Sequence, residues 1–390
     1  MFTTLGIFYG AIYLFMKVVI IQRIIPHYRI PFFIKLQQLL KNENIDLFLI
    51  YGQEQPGTIP RTVDIDQPWA IRITNRYFML PFGELIWQPC GHLIQDADLV
   101  IIEQANRFII HYFLQFLWRN PTHKLAFWGH GTNFQSRHKE CLNNKFKRYL
   151  AKKVDWWFAY TDLTVAQLNQ PKFPGNKVSV VQNCIDTNDL NTAVQKVSPE
   201  DLTALRQKHG LTSQHIGLYC GGLYSDKRID FLLAACDNIK SKVPDFECLI
   251  IGDGQDSKTV LTACATRDWL HYIGPLFDTK RIPYFLLSKV MLMPGLVGLV
   301  IVDSFVTQLP LFTTDNNIHS PEIAYLENGV NGVMAADTLD DYVNAVVKGL
   351  TDDIYLHRLQ EGCAVSAEKY TLENMVNNFA TGIRQCLANN

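Results

Sequence analysis

The chain has 390 residues, of which 48% are apolar and 19% are charged. This length and composition exclude a disordered tail and exceed one typical domain, so we expect two folded domains. The formal net charge is −1, from 36 Lys and Arg against 37 Asp and Glu, which excludes a global positive charge that would recruit nucleic acid.

The charge is nevertheless uneven along the chain. Residues 1–190 hold 20 basic and 14 acidic side chains, whereas the remainder holds 16 basic and 23 acidic ones. The near-neutral total is therefore a cancellation between two halves. We expect the basic first half to face an anionic surface or acceptor.

Residues 1–16 carry no charged side chain, and Lys17 and a β-branched run follow at once. The segment is short for a membrane span, which takes roughly 20 residues. It lacks the basic start and small-residue cleavage site of a secretory signal. We expect an upstream extension before a start at Met16, and an interfacial anchor is the alternative.

From Val18 onward, short β-branched runs alternate with longer helical stretches, which is typical of βα units around a parallel sheet. In chain order the first series is predicted as strand 18–21, helix 34–41, strands 46–51 and 98–103, helix 105–119, strand 124–128, basic helix 139–153, and strands 156–160 and 177–181. We assign this series to a first domain at 17–186. A polar linker with one helix, 199–209, is expected at 187–213.

A second series of the same kind is predicted for a domain at 214–355. Its elements are strand 216–219, a helix from 229, strand 247–251, a helix, strand 269–273, a helix, and strands 290–293 and 309–313. Helices at 356–390 end the chain, and we expect them to pack back on the first domain. Two doubly wound domains place a ligand at the carboxyl ends of their strands, in the cleft where the domains face each other.

The nine cysteines are scattered and include no Cys-x-x-Cys pair. An odd number with this spacing argues against both a disulfide framework and a zinc site. The pattern favours a reducing cytosol.

Segment 219–230 (YCGGLYSDKRID) runs from a strand through a glycine turn into a helix. Gly221 and Gly222 form the turn, and Lys227 and Arg228 stand where the helix begins. Backbone amides and two cations in this arrangement can hold a diphosphate. A solvated Lys-Arg pair at a helix start is the alternative.

Segment 293–305 (MPGLVGLVIVDSF) is a second strand, turn and helix. Gly295 permits a tight turn. The amides that this turn presents belong to Val297, Gly298 and Leu299. Asp303 falls about one turn into the helix, where its carboxylate can accept both hydroxyls of a ribose. The alternative is an ordinary polar residue on a buried helix, although Asp is a poor interior helix former.

A third segment, 313–332, contains His-Ser-Pro-Glu at 319–322. The residue preferences at helix starts explain Ser320 as a cap, Pro321 as the first helical residue and Glu322 after it. They do not explain His319, which we interpret as a further hydrogen-bonding group for a ligand.

In this order, the three segments resemble the donor-binding half of the family 4 glycosyltransferases, which have the two-domain GT-B fold. Gly252, within IGDG at 251–254, resembles the turn after the second strand of that family's nucleotide domain, and Ile273 resembles its base-contacting strand end. The resemblance covers 17–350. It implies an α/β fold of two Rossmann-like domains and places Glu322 with the other donor-binding residues.

The first domain shows a weaker likeness to the same family. His27 and Arg29 resemble part of the loop after the first strand in a bacterial branch, where this loop borders the acceptor site. His130, within WGHGTN at 128–133, resembles the family's histidine loop, whose imidazole approaches the donor sugar. A simple turn residue is the alternative for His130.

Two positions depart from the family pattern. The family usually has Glu, seven residues and Glu across the second segment, whereas this chain has Gly295 and Asp303. The Gly-Arg pair common in the phosphate turn is Gly221-Gly222 here. Lys227 and Arg228 therefore remain as the expected diphosphate cations.

The resemblance implies a retaining glycosyltransferase that moves a hexose or related sugar from a nucleoside diphosphate to a hydroxyl of a glycan or lipid-linked acceptor, as in bacterial polysaccharide biosynthesis. His130, Lys227 and Arg228 are the expected catalytic residues, with no cofactor, no metal and no nucleic-acid partner. The base, uracil or guanine, stays open. A nucleotide-sugar epimerase of the same fold and a non-catalytic sugar-binding subunit are the alternatives.

The basic face at 139–153, followed by aromatic residues 156–158, suits anionic phospholipid or a lipid diphosphate. The alternative is a solvated helix that leads into a buried strand. We expect a cytoplasmic protein in peripheral contact with the inner face of the membrane.

Overall fold

The computed structural model describes residues 15–58, 62–81, 83–117, 123–131, 149–169 and 172–389. Contacts divide these residues into two compact units. The first unit holds the described residues up to 131, those from 149 to 181 and the chain end from Val376, and the second runs from Gln182 to Met375. Residues 1–14 of the apolar segment and 139–148 of the predicted basic helix lie outside the described residues.

A seven-stranded parallel sheet forms the centre of the first unit, in the order β3-β2-β1-β6-β7-β8-β9. The strands of this unit are β1 (Met16–Gln22), β2 (Ile45–Tyr51), β3 (Ala70–Arg72), β4 (Arg76–Leu80), β5 (Gly83–Trp87), β6 (Leu99–Glu103), β7 (Lys124–Gly129), β8 (Trp156–Ala159) and β9 (Val178–Val180). In register, Val18 of β1 pairs with Leu47 of β2 and Leu99 of β6. The strand order reverses between β1 and β6, so the carboxyl ends of these two strands mark the switch point of the sheet.

The described helices of the first unit connect these parallel strands. They are Ile30–Lys41, Ile109–Phe116 and Asp162–Leu168, with 3-10 turns at His27–Arg29, Gly91–Leu93 and Gly175–Lys177. The antiparallel hairpin of β4 and β5 was not expected from the sequence. Its strands are partly exposed and lack the continuous buried run that made the parallel strands recognisable.

The second unit contains a six-stranded parallel sheet in the order β12-β11-β10-β13-β14-β15. Its strands are β10 (Ile216–Cys220), β11 (Glu247–Ile251), β12 (Leu270–Gly274), β13 (Val290–Leu292), β14 (Leu311–Thr314) and β15 (Gly332–Ala335). In sequence order this is the 3-2-1-4-5-6 arrangement of a Rossmann fold, with its switch point between β10 and β13. The predicted class, α/β with two doubly wound domains, is confirmed.

Helices of the second unit cover the sheet and extend through the predicted linker. They are Thr187–Lys196, Pro199–His209, Ile229–Lys242, Ser257–Cys264, Ile282–Leu287, Val300–Val306, Leu339–Thr351 and Asp353–Lys369, with 3-10 turns at Ser225–Lys227, Asp278–Arg281 and Pro321–Tyr325. The segment 187–213 therefore forms two helices rather than one. Leu190 on the first of them is buried against Ile282 and Val306, because a sparse apolar stripe is enough to dock a short helix.

The last helix of the chain, Leu372–Ala388, packs its residues from Val376 onward into the first unit. Phe379 is fully buried there. Its ring is stacked on Phe158, with centroids 4.3 Å apart, and lies 4.9 Å from Trp128 and 5.3 Å from Phe32. These aromatic pairs attach the chain end to strands β7 and β8.

We expect Phe379→Ala to lower the free energy of unfolding of the first unit by about 3–5 kcal/mol, because it removes a buried ring from an aromatic cluster. Ile354→Ala is the matched control, since Ile354 is 87% exposed, and should change stability by less than about 0.5 kcal/mol. Urea unfolding followed by tryptophan fluorescence measures the change in stability. The signal reports mainly on the first unit, because Trp269 is the one tryptophan of 182–375. Equal midpoints for the two variants would show that the chain end is not packed as described.

Candidate functional site

The turns after β10 and β11 are in direct backbone contact at the carboxyl edge of the second unit's sheet. Gly252 has φ of 153°, and a Cβ on it would lie 1.9 Å from the carbonyl oxygen of Gly221. Tyr219 donates its hydroxyl to the Gly222 carbonyl at 2.7 Å, and Tyr272 donates to the Gly252 carbonyl at 2.9 Å. Glycine is thus required at position 252, because a Cβ there would prevent the two turns from packing against each other.

Lys227 is a buried cation close to these two turns. It is 7% exposed and lies at the end of the 3-10 turn Ser225–Lys227. Its Nζ donates to the carbonyl oxygen of Leu296 at 2.6 Å. Burial lowers the pKa of Lys227 from 10.5 to about 8, although Cys220 and Asp226 act in the opposite direction. An ammonium with a neutral carbonyl partner at this depth is poorly compensated.

Gly295 joins the turn after β13 to the turn that carries Lys227. A Cβ on Gly295 would lie 2.5 Å from the carbonyl oxygens of both Asp226 and Lys227. The amide of Leu296 donates to the Asp226 carbonyl at 2.9 Å. The two predicted segments therefore meet, and the glutamate that the family pattern places here would collide with backbone.

Arg228 adopts a left-handed conformation, with φ of 56°, and its side chain has different hydrogen-bond partners from that of Lys227. Its Nη1 donates to Thr314 Oγ1 at 3.1 Å and to a carboxylate oxygen of Asp337. The side chains of this ion pair are 26% and 38% exposed. An anion that approaches Arg228 therefore also meets the negative charge of Asp337.

His319 hydrogen-bonds the backbone of the turn after β13 and of β14. Its Nδ1 accepts a hydrogen bond from the amide of Val297 at 3.2 Å, and its Nε2 donates to the Thr314 carbonyl at 2.7 Å. Burial lowers the pKa of His319, so the neutral form with the proton on Nε2 fits both contacts. That His319 and the Val297 amide face a ligand stays a prediction, and here the two groups hydrogen-bond each other.

Asp303 is 1% exposed and pairs with Arg281, whose Nη2 donates to Oδ1 at 2.7 Å. Burial raises the pKa of Asp303 to about 6, and Arg281 opposes this shift. The direct contact of Asp303 with ribose hydroxyls stays a prediction, and here the carboxylate is buried and paired with the more exposed Arg281. Arg281 was missed from the sequence, where its only signal is the Lys-Arg pair of the turn Asp278–Arg281.

Glu322 also has a hydrogen-bond partner within the second unit. It is buried and accepts a hydrogen bond from Asn183 Nδ2, and the Tyr325 hydroxyl donates to the Asn183 carbonyl at 3.0 Å. The pair ties the 3-10 turn Pro321–Tyr325 to the start of the unit. Its role in donor binding stays a prediction, and within the unit it has this structural role.

The remaining predicted donor residues lie at the same edge of the sheet. Ile273 is half-buried near the end of β12, and Gly298 and Leu299 directly precede helix Val300–Val306. A Cβ on Gly298 would make only an ordinary contact, 3.7 Å from Ser320 Oγ. Gly298 is therefore less constrained than Gly295.

In the first unit, His130 follows β7 between two glycines. Gly129 packs against Gln104, where a Cβ would lie 2.7 Å from the Gln104 Cβ, and Gly131 has φ of 83°. The Gln104 Nε2 donates to the Gly131 carbonyl. The half-buried His130 ring lies 5.9 Å from the Tyr160 ring, so Gly129, His130 and Gly131 each contact a neighbouring residue of the first unit.

Arg29 is buried among aromatic rings of the first unit, and His27 is exposed two residues before it. The Arg29 guanidinium lies 5.0 Å from the Trp128 ring centroid and 5.7 Å from that of Tyr160, which is cation-π geometry. Arg29 and His130 thus share the Tyr160 ring. The structure brings these two predicted residues together at the carboxyl ends of β7 and β8.

Comparison with known proteins agrees with this architecture. Residues 214–352 match the family model described as "Glycosyl transferases group 1". An alpha-D-kanosaminyltransferase of Streptomyces kanamyceticus is 26% identical over 178 residues, which span 43% of this chain and 45% of that protein. The match thus spans less than half of the length of that relative.

Solved structures share the fold at low sequence identity. A glycosyltransferase from Rickettsia africae superposes with a TM-score of 0.72 at 14% identity, over 97% of this chain and 100% of that chain. Anabaena HepE in complex with UDP and glucose gives a TM-score of 0.66 at 16% identity, over 95% and 99% of the two chains.

Fold and neighbours together define the class, a GT-B protein with two Rossmann-like units. Within that class, residues 214–352, less than half of the chain, carry the similarity to the group 1 glycosyltransferases. This similarity agrees with the family predicted from the sequence. Among the described residues, no helix is long and apolar enough to cross a membrane.

Lys227→Met tests whether the buried cation is kept for a ligand. At pH 7 we expect it to abolish nucleoside diphosphate binding while stability stays equal or rises by about 1–2 kcal/mol, since removing a poorly compensated charge outweighs one lost hydrogen bond. Isothermal titration with UDP and GDP and urea unfolding measure the two effects. Lys289→Met is the control, because Lys289 forms a surface ion pair with Asp353 before β13, at the opposite edge of the sheet.

The same variant makes a pH prediction. The folded state holds the Lys227 proton less tightly than the unfolded chain, so wild-type stability gains from this group as pH rises from about 8 to 10.5. The advantage of Lys227→Met should therefore shrink over that window. A constant difference between pH 7 and 10 would contradict the buried, charged state of Lys227.

Gly295→Ala and Gly298→Ala compare two glycines of one turn. The first should destabilise the second unit by about 2 kcal/mol or more and weaken nucleotide binding, because its Cβ displaces the Lys227 turn. The second should leave both properties nearly unchanged. Thermal unfolding and nucleotide titration provide the readouts, and equal tolerance of the two alanines would refute the backbone contact at Gly295.

Proposed function

We propose that the protein transfers a sugar from a nucleoside-diphosphate sugar to a hydroxyl of an acceptor. The observation that carries the proposal is the buried Lys227 ammonium, held between two glycine turns at the carboxyl edge of the family-matched unit. The carboxyl edge at a switch point is where open α/β sheets bind ligands. This desolvated cation donates to a neutral carbonyl. Within the described part of the chain, no carboxylate lies within ion-pair distance of its Nζ, although the charge of Asp226 acts on it from further away.

A diphosphate would supply the missing partner. As the bond between C1 of the sugar and the phosphate oxygen breaks, negative charge grows on the leaving group and positive charge on the ring. Lys227 would leave the Leu296 carbonyl for the phosphate oxygens and stabilise that charge at low dielectric. Arg228 would contribute at longer range, because Asp337 already holds it.

The proposed stereochemical course is retaining, and it rests on the family resemblance. Asp303 is engaged with Arg281, and Glu322 is engaged with Asn183. These two carboxylates of the predicted site are thus held by other side chains rather than poised as nucleophiles. In the proposed displacement the acceptor attacks the face that the phosphate leaves, and a leaving phosphate oxygen takes the acceptor proton.

We assign the nucleotide as UDP and the transferred group as a hexose or related sugar. Anabaena HepE, which shares the fold, is described in complex with UDP and glucose. In the first unit, His130 and Tyr160 are assigned to the donor sugar during turnover, and His27 and Arg29 to the acceptor side.

For the acceptor we favour a glycan or lipid-linked sugar at a membrane surface. Phe113, Phe116, Leu117 and Tyr149 expose apolar surface on the first unit. Lys153 Nζ lies 5.0 Å from the Tyr149 ring centroid, so cationic and aromatic groups share this patch. Such a patch suits anionic headgroups. The free thiols of the described cysteines favour the cytoplasmic side.

The central test incubates the protein with UDP- and GDP-sugars, with and without a membrane extract, and measures nucleoside diphosphate release and sugar identity. We expect release that depends on the extract, because the extract supplies the acceptor. An altered sugar without release would identify an epimerase, and neither change would identify a non-catalytic sugar-binding subunit. Lys289→Met should match the wild type in this assay, and Lys227→Met should be inactive.

A further inference from the structure

We propose that Arg281 is a second ligand-facing cation of the donor site, held in position by Asp303 and aimed at the phosphates of the nucleotide. This inference rests on the proposed function and deepens it. The sequence-based assignment names Lys227 and Arg228 as the diphosphate cations, and this inference adds Arg281 to them.

The ion pair of Arg281 and Asp303 has one accessible member. The Asp303 side chain is 2% exposed, whereas the Arg281 side chain is 20% exposed. A ligand that arrives from solvent therefore meets the guanidinium first and does not reach the carboxylate. The pair of Arg228 and Asp337 differs, because its carboxylate is the more exposed partner.

The guanidinium of Arg281 is held by several contacts and still has donor capacity. Its Nη2 donates to Asp303 and its Nε to the Asp278 carbonyl at 3.2 Å, while its centre lies 5.8 Å from the Phe285 ring centroid. The guanidinium also hydrogen-bonds the Cys220 thiol at the end of β10. Within the described residues, Nη1 has no carboxylate or carbonyl partner at hydrogen-bond distance. Because a guanidinium has five N–H groups in a rigid plane, fixing one edge aims the rest.

Arg281 and Lys227 lie near the same point, the end of β10. Burial raises the pKa of the Cys220 thiol to about 11, and the nearby charges of Arg281 and Lys227 each act to lower it. Cys220 is the last residue of β10 and directly precedes the Gly221-Gly222 turn. Two cations from different loops thus lie near a turn that has no basic side chain of its own.

The geometry also assigns a role to Asp303. Burial disfavours its charge, and Arg281 is the compensating partner that opposes this effect. The pair persists because Asp303 fixes the direction of Arg281. Asp303 is therefore a positioning residue, and it differs from the ribose acceptor that the sequence suggested.

The test compares the affinities of UDP and uridine by isothermal titration for the wild type, Arg281→Gln, Arg281→Lys and Asp303→Asn. Arg281→Gln should weaken UDP binding by about 10- to 100-fold and leave uridine binding unchanged, because only UDP carries the phosphates. Arg281→Lys should lie between them, since it keeps the charge without the planar fork. Asp303→Asn should weaken UDP more than uridine, through a misdirected Arg281.

Arg267→Gln is the matched control. Arg267 forms a bidentate ion pair with Asp237, with N–O distances of 2.7 and 2.8 Å. It precedes β12 and therefore lies at the amino edge of the same sheet, opposite the carboxyl edge that carries the site. Its UDP-to-uridine affinity ratio should equal that of the wild type. Since Arg281→Gln alone leaves a buried carboxylate unpaired, Arg281→Gln with Asp303→Asn is measured as a neutral pair if the single variant unfolds.

The outcomes separate the two levels of the proposal. A wild type that binds neither UDP nor GDP would refute the proposed function itself. A wild type that binds UDP, with Arg281→Gln retaining the same UDP-to-uridine ratio, would overturn the role of Arg281. Equal weakening of UDP and uridine by Arg281→Gln and by Asp303→Asn would also overturn it, because the pair would then serve the nucleoside.

Discussion

The close backbone approach of Gly295 to the Asp226–Lys227 peptide organises the carboxyl edge of the second unit. This contact, with the hydrogen bond from the Leu296 amide to the Asp226 carbonyl, fixes the turn after β13 against the turn after β10. It also determines where the Lys227 ammonium lies, because Lys227 Nζ donates a hydrogen bond to the carbonyl of Leu296, the residue after Gly295. The absence of an acid at 295 is then a steric requirement of this packing.

A second feature of the site is that two ionisable side chains, Lys227 and Asp303, are buried at a cost in folding stability. Lys227 has a carbonyl partner and a lowered pKa, and Asp303 has a raised pKa in spite of Arg281. Perturbations of this kind concentrate at functional sites because binding, rather than folding, supplies the compensation. The lowered pKa of His319 belongs to a different category, since both of its ring nitrogens are satisfied by the backbone.

The sequence predicted those parts of the structure that local patterns determine. Buried β-branched runs gave the parallel strands, and glycines at strand ends gave the turns that bring Lys227 and Gly295 together. The partners of Asp303, Val297 and Glu322 were not predictable, because Arg281, His319 and Asn183 reach them across 22 to 139 residues through tertiary packing. Side-chain type alone made these residues look available to a ligand. The hairpin of β4 and β5 was missed for another reason, since half-exposed strands carry no continuous apolar run.

The most direct measurement is a crystal structure of the protein with bound UDP, read for the distance between Lys227 Nζ and the nearest phosphate oxygen. The account predicts that Nζ leaves the Leu296 carbonyl and lies within about 3.2 Å of a phosphate oxygen, at the edge formed by the turns after β10 and β13. A diphosphate bound elsewhere, with Lys227 still on the Leu296 carbonyl, would contradict it.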